Sequence, residues 1–310
     1  MSILAEMDYQ SLEYSLAASL LVCSMFGMGT TLAVRDLLDV FKTPSSLAIV
    51  LLLQCVISPT LALVIGKLFG VSLGVAAGMI LITAIPGGSY TNLFTYFGRG
   101  NVALSVAATT FCTALCVVTT PLVLRTFNLG GALGEVVMPA GKIFFEIVTW
   151  LLLPLATGML TRRFLPSRYA LLGKVGIWAS VTILVVLVIA AMSSGRLKLM
   201  SEGWRAPLAI IALGTAMLWS TYGTCLLAKR PLLDVFTIAI EVVVRNGNLA
   251  LLLKASLYPD STTDPAVSSG VLFAILFYAA NSMFIALLEV YVCRTNWGVI
   301  YGRGKEKPLS

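Results

Sequence analysis

The sequence contains no histidine and few charged residues, and both shortages limit what the protein can do. Charged residues make up 11% of the 310 residues, whereas soluble domains contain about 25%. Histidine is the commonest general base and proton relay, so its absence argues against acid–base catalysis. No nucleophile–base pattern or phosphate-binding motif appears either. We therefore do not expect an enzyme.

Metal-ligand spacing is absent from the cysteines, which argues against a cysteine-ligated metal centre. None of the six cysteines shows metal-ligand spacing, and all lie in apolar segments: Cys23, Cys55, Cys112, Cys116, Cys225 and Cys293. They are typical of small packing residues, not of a disulfide framework. The net charge is +7, but the basic residues lie between apolar runs and form no patch. A nucleic-acid partner is therefore not expected.

Long apolar runs are the abundant feature of this chain. Hydrophobic residues make up 58% of it, and a membrane span needs about 20 of them in a row. Nine segments qualify, at approximately 12–33, 45–67, 72–97, 101–125, 139–161, 169–194, 206–228, 232–256 and 268–292. The pattern predicts an all-α membrane protein with nine transmembrane helices in a lipid bilayer.

Lysine and arginine set the predicted orientation, because they concentrate on the cytoplasmic side. With the N-terminus outside, 13 of these residues lie inside and 7 lie outside, with Arg245 within a span. The stretch "GRGKEKPLS" at the C-terminal end is also basic. We therefore expect a multi-pass protein of the cell membrane with its N-terminus outside and its C-terminus in the cytoplasm.

The third span contains "AIPGGSYTN", residues 84–92, which combines a helix break with polar side chains. Pro86 lacks a backbone donor, and Gly87 and Gly88 weaken a helix. A simple kink is one interpretation, because proline and glycine are common in membrane helices. The four polar residues that follow favour a functional break.

The eighth span contains "IEVVVRNGN", residues 240–248, with a second break and two ionisable residues. An ionisable group at mid-membrane costs about 2.5 kcal/mol or more, so Glu241 needs a partner. One interpretation is a structural ion pair with Arg245, four residues away on one helix face. The other is that Glu241 lies on a transport path, with Arg245 as a counter-charge or as a ligand for a substrate anion.

The two breaks occupy corresponding positions in the chain. Spans 2 to 4 and spans 7 to 9 each form a three-helix unit with the broken helix in the middle, and the two units enter the membrane from opposite sides. Such inverted repeats with paired broken helices indicate the binding site of a secondary transporter.

The fourth span adds oxygen ligands near the first break. Ser105 and Thr109 lie four residues apart on one helix face. Thr109 and Thr110 are alternatively expected to bond back to their own helix carbonyls. Together with Thr91, Asn92 and Glu241, the hydroxyl, amide and carboxylate oxygens suit a hard cation such as Na+.

These residues resemble the signatures of a known family, the bile acid:sodium symporters. The stretches are "MFGMGTTL" (26–33), "PGGSYTNLFTYFGRGNVALSVAATT" (86–110) and "TIAIEVVVRN" (237–246). The resemblance implies the nine-helix form, in which a core domain with two crossed broken helices lies beside a panel domain. By this resemblance the panel comprises 12–33 and 139–194, the core repeats comprise 45–125 and 206–292 with breaks at 84–92 and 241–248, and 293–310 is a cytoplasmic basic tail.

The resemblance also implies two sodium sites. The first comprises Thr91, Asn92, Ser105, Thr109 and Glu241. The second comprises Gln54, Glu241 and the carbonyls around Val242 and Val244, plus a glutamine whose position is taken here by Arg245. A guanidinium beside Glu241 would repel a second ion by several kcal/mol, so we expect this site to be lost or altered, with Arg245 standing in for the ion.

Family members bind substrate with polar groups near the crossing of the broken helices. In this chain those groups are Ser89, Asn246 and Asn281, although Asn281 is equally consistent with an interhelical hydrogen bond. Ser89 begins the second half of the third span, where a helix N-terminus favours an anion.

The expected function is sodium-coupled symport of an organic anion by alternating access, with Na+ as coupling ion and no other cofactor. The anion is a bile-acid-type molecule or a smaller carboxylate or sulfonate. Two alternatives remain: a sodium-independent or proton-linked anion carrier, and a non-transporting membrane sensor or scaffold.

Overall fold

The computed structural model describes residues 2–33, 44–88, 90–127, 140–193, 202–259 and 262–295, with side chains from residue 13 onward. In this part of the chain the secondary structure is helical and contains no strand. The helices are α1 (Ser2–Thr31), α2 (Pro44–Leu52), α3 (Ser58–Phe69), α4 (Leu73–Ala84), α5 (Tyr90–Phe97), α6 (Val102–Phe127), α7 (Ala140–Glu146), α8 (Leu153–Phe164), α9 (Tyr169–Ser193), α10 (Arg205–Leu227), α11 (Leu232–Val243), α12 (Gly247–Leu257) and α13 (Pro265–Thr295).

Seven helical runs of the described residues are long and apolar enough to cross a membrane. They are Glu13–Thr31, Pro44–Phe69, Val102–Phe127, Ala140–Phe164, Tyr169–Ser193, Arg205–Leu227 and Pro265–Thr295. Each coincides with one of the predicted spans. A chain with this many crossing helices is a multi-pass membrane protein.

The predicted third and eighth spans each consist of two short helices. Helix α4 ends at Ala84, Ile85 is extended, and α5 begins at Tyr90. Helix α11 ends at Val243, Val244 is extended, and α12 begins at Gly247. Both interruptions are shorter than the ranges predicted from sequence, because the residues at the margins of those ranges remain helical.

Two runs contain a π-helical turn that the sequence analysis does not anticipate, Leu53–Ile57 and Ile147–Leu152. Each is followed closely by proline, Pro59 or Pro154, at the start of the next helix. Because proline has no N–H to donate to the preceding turn, the local backbone widens. The carbonyl of Leu53 accepts both the backbone N–H and, at 2.7 Å, the hydroxyl of Ser58.

Two sets of helix contacts dominate the packing, and α1 also contacts α12. Helix α1 lies against α8 and α9, while α13 lies against α4 and α10. Glycine permits the closest approaches within each group. A Cβ on Gly29 would lie 2.2 Å from the carbonyl oxygen of Leu155, and one on Gly74 would lie 2.4 Å from that of Val267. We call the α1, α7, α8 and α9 group the panel and the remaining helices the core.

Two sequence predictions fall wholly or mostly outside the described residues. Ser89, a predicted substrate ligand, is one of them. The predicted basic tail is described only as far as Thr295, where α13 ends.

Candidate functional site

The two interrupted segments cross each other through main-chain contacts. The amide of Asn246 donates to the carbonyl of Pro86 at 3.0 Å, and an isolated antiparallel bridge pairs Gly87 with Arg245. Glycine is needed because the segments lie so close. A Cβ on Gly87 would lie 2.5 Å from Oε1 of Glu241, and one on Gly88 would lie 3.2 Å from the Cα of Asn246.

The five residues predicted for the first sodium site form one cluster beside this crossing. Thr109 Oγ1 lies 2.8 Å from Oε1 and 3.0 Å from Oε2 of Glu241, and 3.0 Å from Thr91 Oγ1. Asn92 Oδ1 lies 2.8 Å from Ser105 Oγ and 3.3 Å from Thr109 Oγ1. All except Asn92 are fully buried. The cluster joins the first broken helix, α6 and α11.

The cluster holds more acceptors than hydroxyl protons can satisfy. The single proton of Thr109 faces both oxygens of Glu241, the side-chain oxygen of Asn92 and the carbonyl of Ser105, the last at 2.9 Å. A hydroxyl donates only one hydrogen bond. Ser105 Oγ donates to Asn92 Oδ1 and Thr91 Oγ1 donates to the carbonyl of Gly88, both at 2.8 Å. In these contacts the two oxygens of Glu241 share at most the one proton of Thr109, a shortage that a hard cation relieves.

Thr109 and Thr110 differ in their surroundings although they are neighbours. Thr109 bonds back to its own helix at Ser105, as one alternative predicted, and also contacts Glu241. Thr110 does neither: its hydroxyl is buried without a hydrogen-bond partner among the described residues. Only the first of the two threonines therefore belongs to the cluster.

The guanidinium of Arg245 is buried and has partners other than the cluster around Glu241. It donates from Nη1 to the carbonyl of Ile85 at 3.0 Å and from Nη2 to Ser58 Oγ at 2.9 Å. Within the described part of the chain it forms no ion pair with Glu241. Ile85 ends the first half of the broken helix, where the helix dipole is negative, so a cation is stabilised there.

The other residues predicted for the second sodium site are buried near the end of α11. Gln54 lies in the first π-helical turn and donates from Nε2 to the carbonyl of Glu241 at 3.3 Å. Val242 and Val244 are fully buried at the end of α11. The carbonyl to which the Arg245 guanidinium donates is that of Ile85.

Sequence reasoning missed two polar residues at the crossing. Ser58 accepts a hydrogen bond from Arg245, and the fully buried Tyr278 donates from its hydroxyl to the carbonyl of Val243 at 2.8 Å. Each is a polar residue in an otherwise apolar span, and that was the only signal available.

The two candidate substrate residues among the described ones, Asn246 and Asn281, have different neighbours. The side chain of Asn246 caps α12 by accepting from the amide of Leu249 at 3.2 Å, and its Nδ2 lies 3.9 Å from the sulfur of Met25. Asn281 instead faces α10, where a Cβ on Gly214 would lie 2.6 Å from its Nδ2. That Nδ2 has no hydrogen-bond partner among the described residues.

Comparison with known proteins gives matches along most of the chain. The sequence model of the Sodium Bile acid symporter family matches residues 18–201, more than half of the chain. The sodium-dependent transporter YocS of Bacillus subtilis is 32% identical over 254 residues, which cover 79% of this chain and 75% of YocS.

Transporters from a plant and an animal also match this chain in sequence. The "probable sodium/metabolite cotransporter BASS1, chloroplastic" of Oryza sativa is 31% identical over 79% of this chain and 60% of its own length. The ileal sodium/bile acid cotransporter of Homo sapiens is 24% identical over 88% of this chain and 78% of its own length. These matches confirm the resemblance seen in the sequence motifs. The chain therefore belongs to the sodium bile acid symporter family, whose members named here are sodium-coupled transporters and not enzymes.

Proposed function

We propose that this protein carries an organic anion across the cell membrane by sodium-coupled symport, with one sodium ion bound by Thr91, Asn92, Ser105, Thr109 and Glu241. The observation that carries the proposal is the crowding of buried oxygens around the carboxylate of Glu241, with Thr109 as the nearest donor. A buried carboxylate without a bonded cation is strongly destabilised. A sodium ion supplies the missing charge and accepts the surplus lone pairs.

Arg245 is proposed to replace the second sodium ion of the family pattern. Two unit charges 4 Å apart repel by about 4 kcal/mol at an effective dielectric constant of 20. The guanidinium already occupies acceptors at Ile85 and Ser58, and Gln54 is engaged with the carbonyl of Glu241. Each cycle therefore moves one coupling ion instead of two.

The cargo is proposed to be an organic anion, either of the bile-acid type or a smaller carboxylate or sulfonate. Support comes from the names of the relatives, which include bile acid and metabolite cotransporters, and from the buried positive charge of Arg245 near the crossing. In this mechanism, sodium orders the crossing and the core then moves against the panel to expose the site on either side of the membrane. The nine-helix inverted-repeat topology, with the N-terminus outside, belongs to the same proposal.

The test is uptake into proteoliposomes driven by a sodium gradient. Purified protein is first screened with a bile acid, small carboxylates and sulfonates for sodium-dependent thermal stabilisation, because a ligand that binds the folded state raises the midpoint. The stabilising anions are then offered as labelled substrates, with choline replacing sodium as the control. We expect uptake that requires sodium and rises with sodium concentration with a Hill slope of about one.

Other results would contradict parts of the proposal. A Hill slope clearly above one would refute the single-ion mechanism. Uptake that proceeds equally in choline, driven by a proton gradient, would favour the proton-linked carrier. Sodium binding without uptake of any anion would favour a sensor or scaffold.

A further inference from the structure

A cluster of charged and polar side chains joins the panel to the core at the end of α12, far from the crossing. Nζ of Lys254, on α12, lies 2.8 Å from Oε1 of Glu13, on α1, and their side chains are 2% and 11% exposed. Lys254 is eight residues after the Asn246 cap, about 12 Å along the helix. This ion pair is therefore separate from the candidate sodium site.

A second contact holds the same helix end to α7. The hydroxyl of Ser256 donates to Oε1 of Glu146, and Nζ of Lys142 donates to the carbonyl of Ser256 at 3.0 Å. Both panel residues belong to α7. Side chains of both α1 and α7 therefore contact the end of α12. We define as the clasp the residues Glu13, Lys142, Glu146, Lys254 and Ser256.

Aromatic groups support the clasp from within the panel. Nε1 of Trp150 donates to the hydroxyl of Tyr14 at 3.0 Å, and that hydroxyl lies 3.5 Å from Oε1 of Glu146. The carboxylate of Glu146 is thereby oriented toward α12. Tyr14 and Trp150 thus hold the Glu146 side chain in place for its contact with Ser256.

We propose that the clasp is a gate that closes the substrate path on the side of the membrane where α12 ends. By the distribution of lysine and arginine, that side is the outside. The gate is closed in this structure, because all clasp contacts are formed. The inference rests on the proposed alternating-access transport, in which α12 must separate from α1 and α7 to open that side. Every clasp contact joins panel to core. None of the contacts survives such a separation.

The ion pair of the clasp stabilises the closed state only weakly, as a gate that must open requires. A buried ion pair gains Coulomb attraction but loses hydration, and the two terms largely offset each other. When the helices separate, Glu13 and Lys254 regain water, so opening is opposed only weakly. Removal of one partner removes the attraction while leaving the other charge poorly solvated in the closed state, and this favours opening.

The experiment measures access to Met25, which is buried on α1 beside Asn246. A Met25→Cys parent is reconstituted, and its reaction with a membrane-impermeant maleimide applied from outside is timed, after subtraction of labelling of the native cysteines. Lys254→Gln and the swapped pair Glu13→Lys with Lys254→Glu are compared on this parent. Glu202→Gln is the matched control, because it alters a 2.6 Å contact with Ser72 at the same end but within the core.

We expect Lys254→Gln to raise the labelling rate several-fold, the swapped pair to return it toward that of the parent, and Glu202→Gln to leave it unchanged. Labelling in Lys254→Gln equal to that of the parent would overturn the gate, as would an equal rise in Glu202→Gln. Sodium-dependent thermal stabilisation of each variant verifies that it is folded. Labelling needs no substrate, so a parent that takes up no anion contradicts the transport proposal and not the clasp.

Discussion

Replacement of Thr109 by valine removes one oxygen from the candidate sodium site while nearly preserving the shape of the side chain. In the structure this hydroxyl lies 2.8 Å and 3.0 Å from the two oxygens of Glu241 and 3.0 Å from that of Thr91. Valine places a methyl group there. The sodium ion loses a ligand, and the carboxylate loses its nearest donor.

The size of the effect follows from the charge on the partners. A hydrogen bond or oxygen contact to a charged group contributes about 1.5–3 kcal/mol, and every 1.4 kcal/mol changes an equilibrium constant tenfold. We therefore expect the sodium concentration needed for half-maximal stabilisation to rise by about 10- to 100-fold in Thr109→Val. Uptake should require correspondingly more sodium.

The assay is a thermal melt of the purified protein over a series of sodium concentrations, at constant ionic strength with choline. The midpoint rises with the logarithm of ligand concentration once sodium exceeds its dissociation constant. The curve of the variant should be displaced to higher sodium with the same slope. An unchanged curve would remove Thr109 from the sodium site.

The adjacent threonine supplies a matched control. The Thr110 hydroxyl is buried and has no hydrogen-bond partner among the described residues, so Thr110→Val removes an unsatisfied polar group and should leave sodium affinity unchanged. If both variants lost sodium affinity equally, the effect would come from α6 as a whole, and the assignment of the cluster would be refuted.

Three further predictions concern the crossing. Gly87→Ala should abolish sodium-dependent uptake, because the added Cβ would lie 2.5 Å from the Glu241 carboxylate. Gly88→Ala should only reduce uptake, because its Cβ would lie 3.2 Å from Asn246 Cα; equal losses in parallel uptake assays would contradict the geometry. Arg245→Gln should raise the Hill slope of uptake for sodium above one, since the repelling charge is gone; a slope that stays at one counts against the arginine as ion substitute. Asn246→Ser should keep the helix cap and exceed Asn246→Ala by about 1 kcal/mol in unfolding free energy, yet both variants should carry anions poorly because the amide group is lost; melts and uptake of both variants provide the check.

The membrane class and the position of both helix breaks follow from local sequence signals. Apolar runs mark the spans, and "PGGS" and "RNGN" contain residues that weaken a helix. The outer limits of the breaks were predicted too wide. Polar residues such as Asn92 and Glu241 were counted as unwound, whereas a helix whose own backbone bonds are intact holds them without difficulty.

Features that depend on distant partners could not be read from one sequence. Arg245 donates a hydrogen bond to Ser58, 187 positions away, and Lys254 donates one to Glu13, 241 positions away. Local periodicity carries no information about such pairs. The pairing of Glu241 with Arg245 along one helix face, one of the two interpretations open from the sequence, shows the limit. The chain unwinds at Val244, and the two side chains have different hydrogen-bond partners.

The crossing of the two unwound segments is held by a carbonyl of Pro86 and an amide of Asn246, which are atoms that every substitution except one to proline at position 246 retains. Most side-chain substitutions at these positions therefore leave this hydrogen bond in place. The side-chain requirement lies instead at Gly87 and Gly88, where an added Cβ would lie 2.5 Å from Glu241 and 3.2 Å from Asn246. Substitutions that change which anion is carried can therefore occur around this junction while the hydrogen bond between the Pro86 carbonyl and the Asn246 amide stays the same.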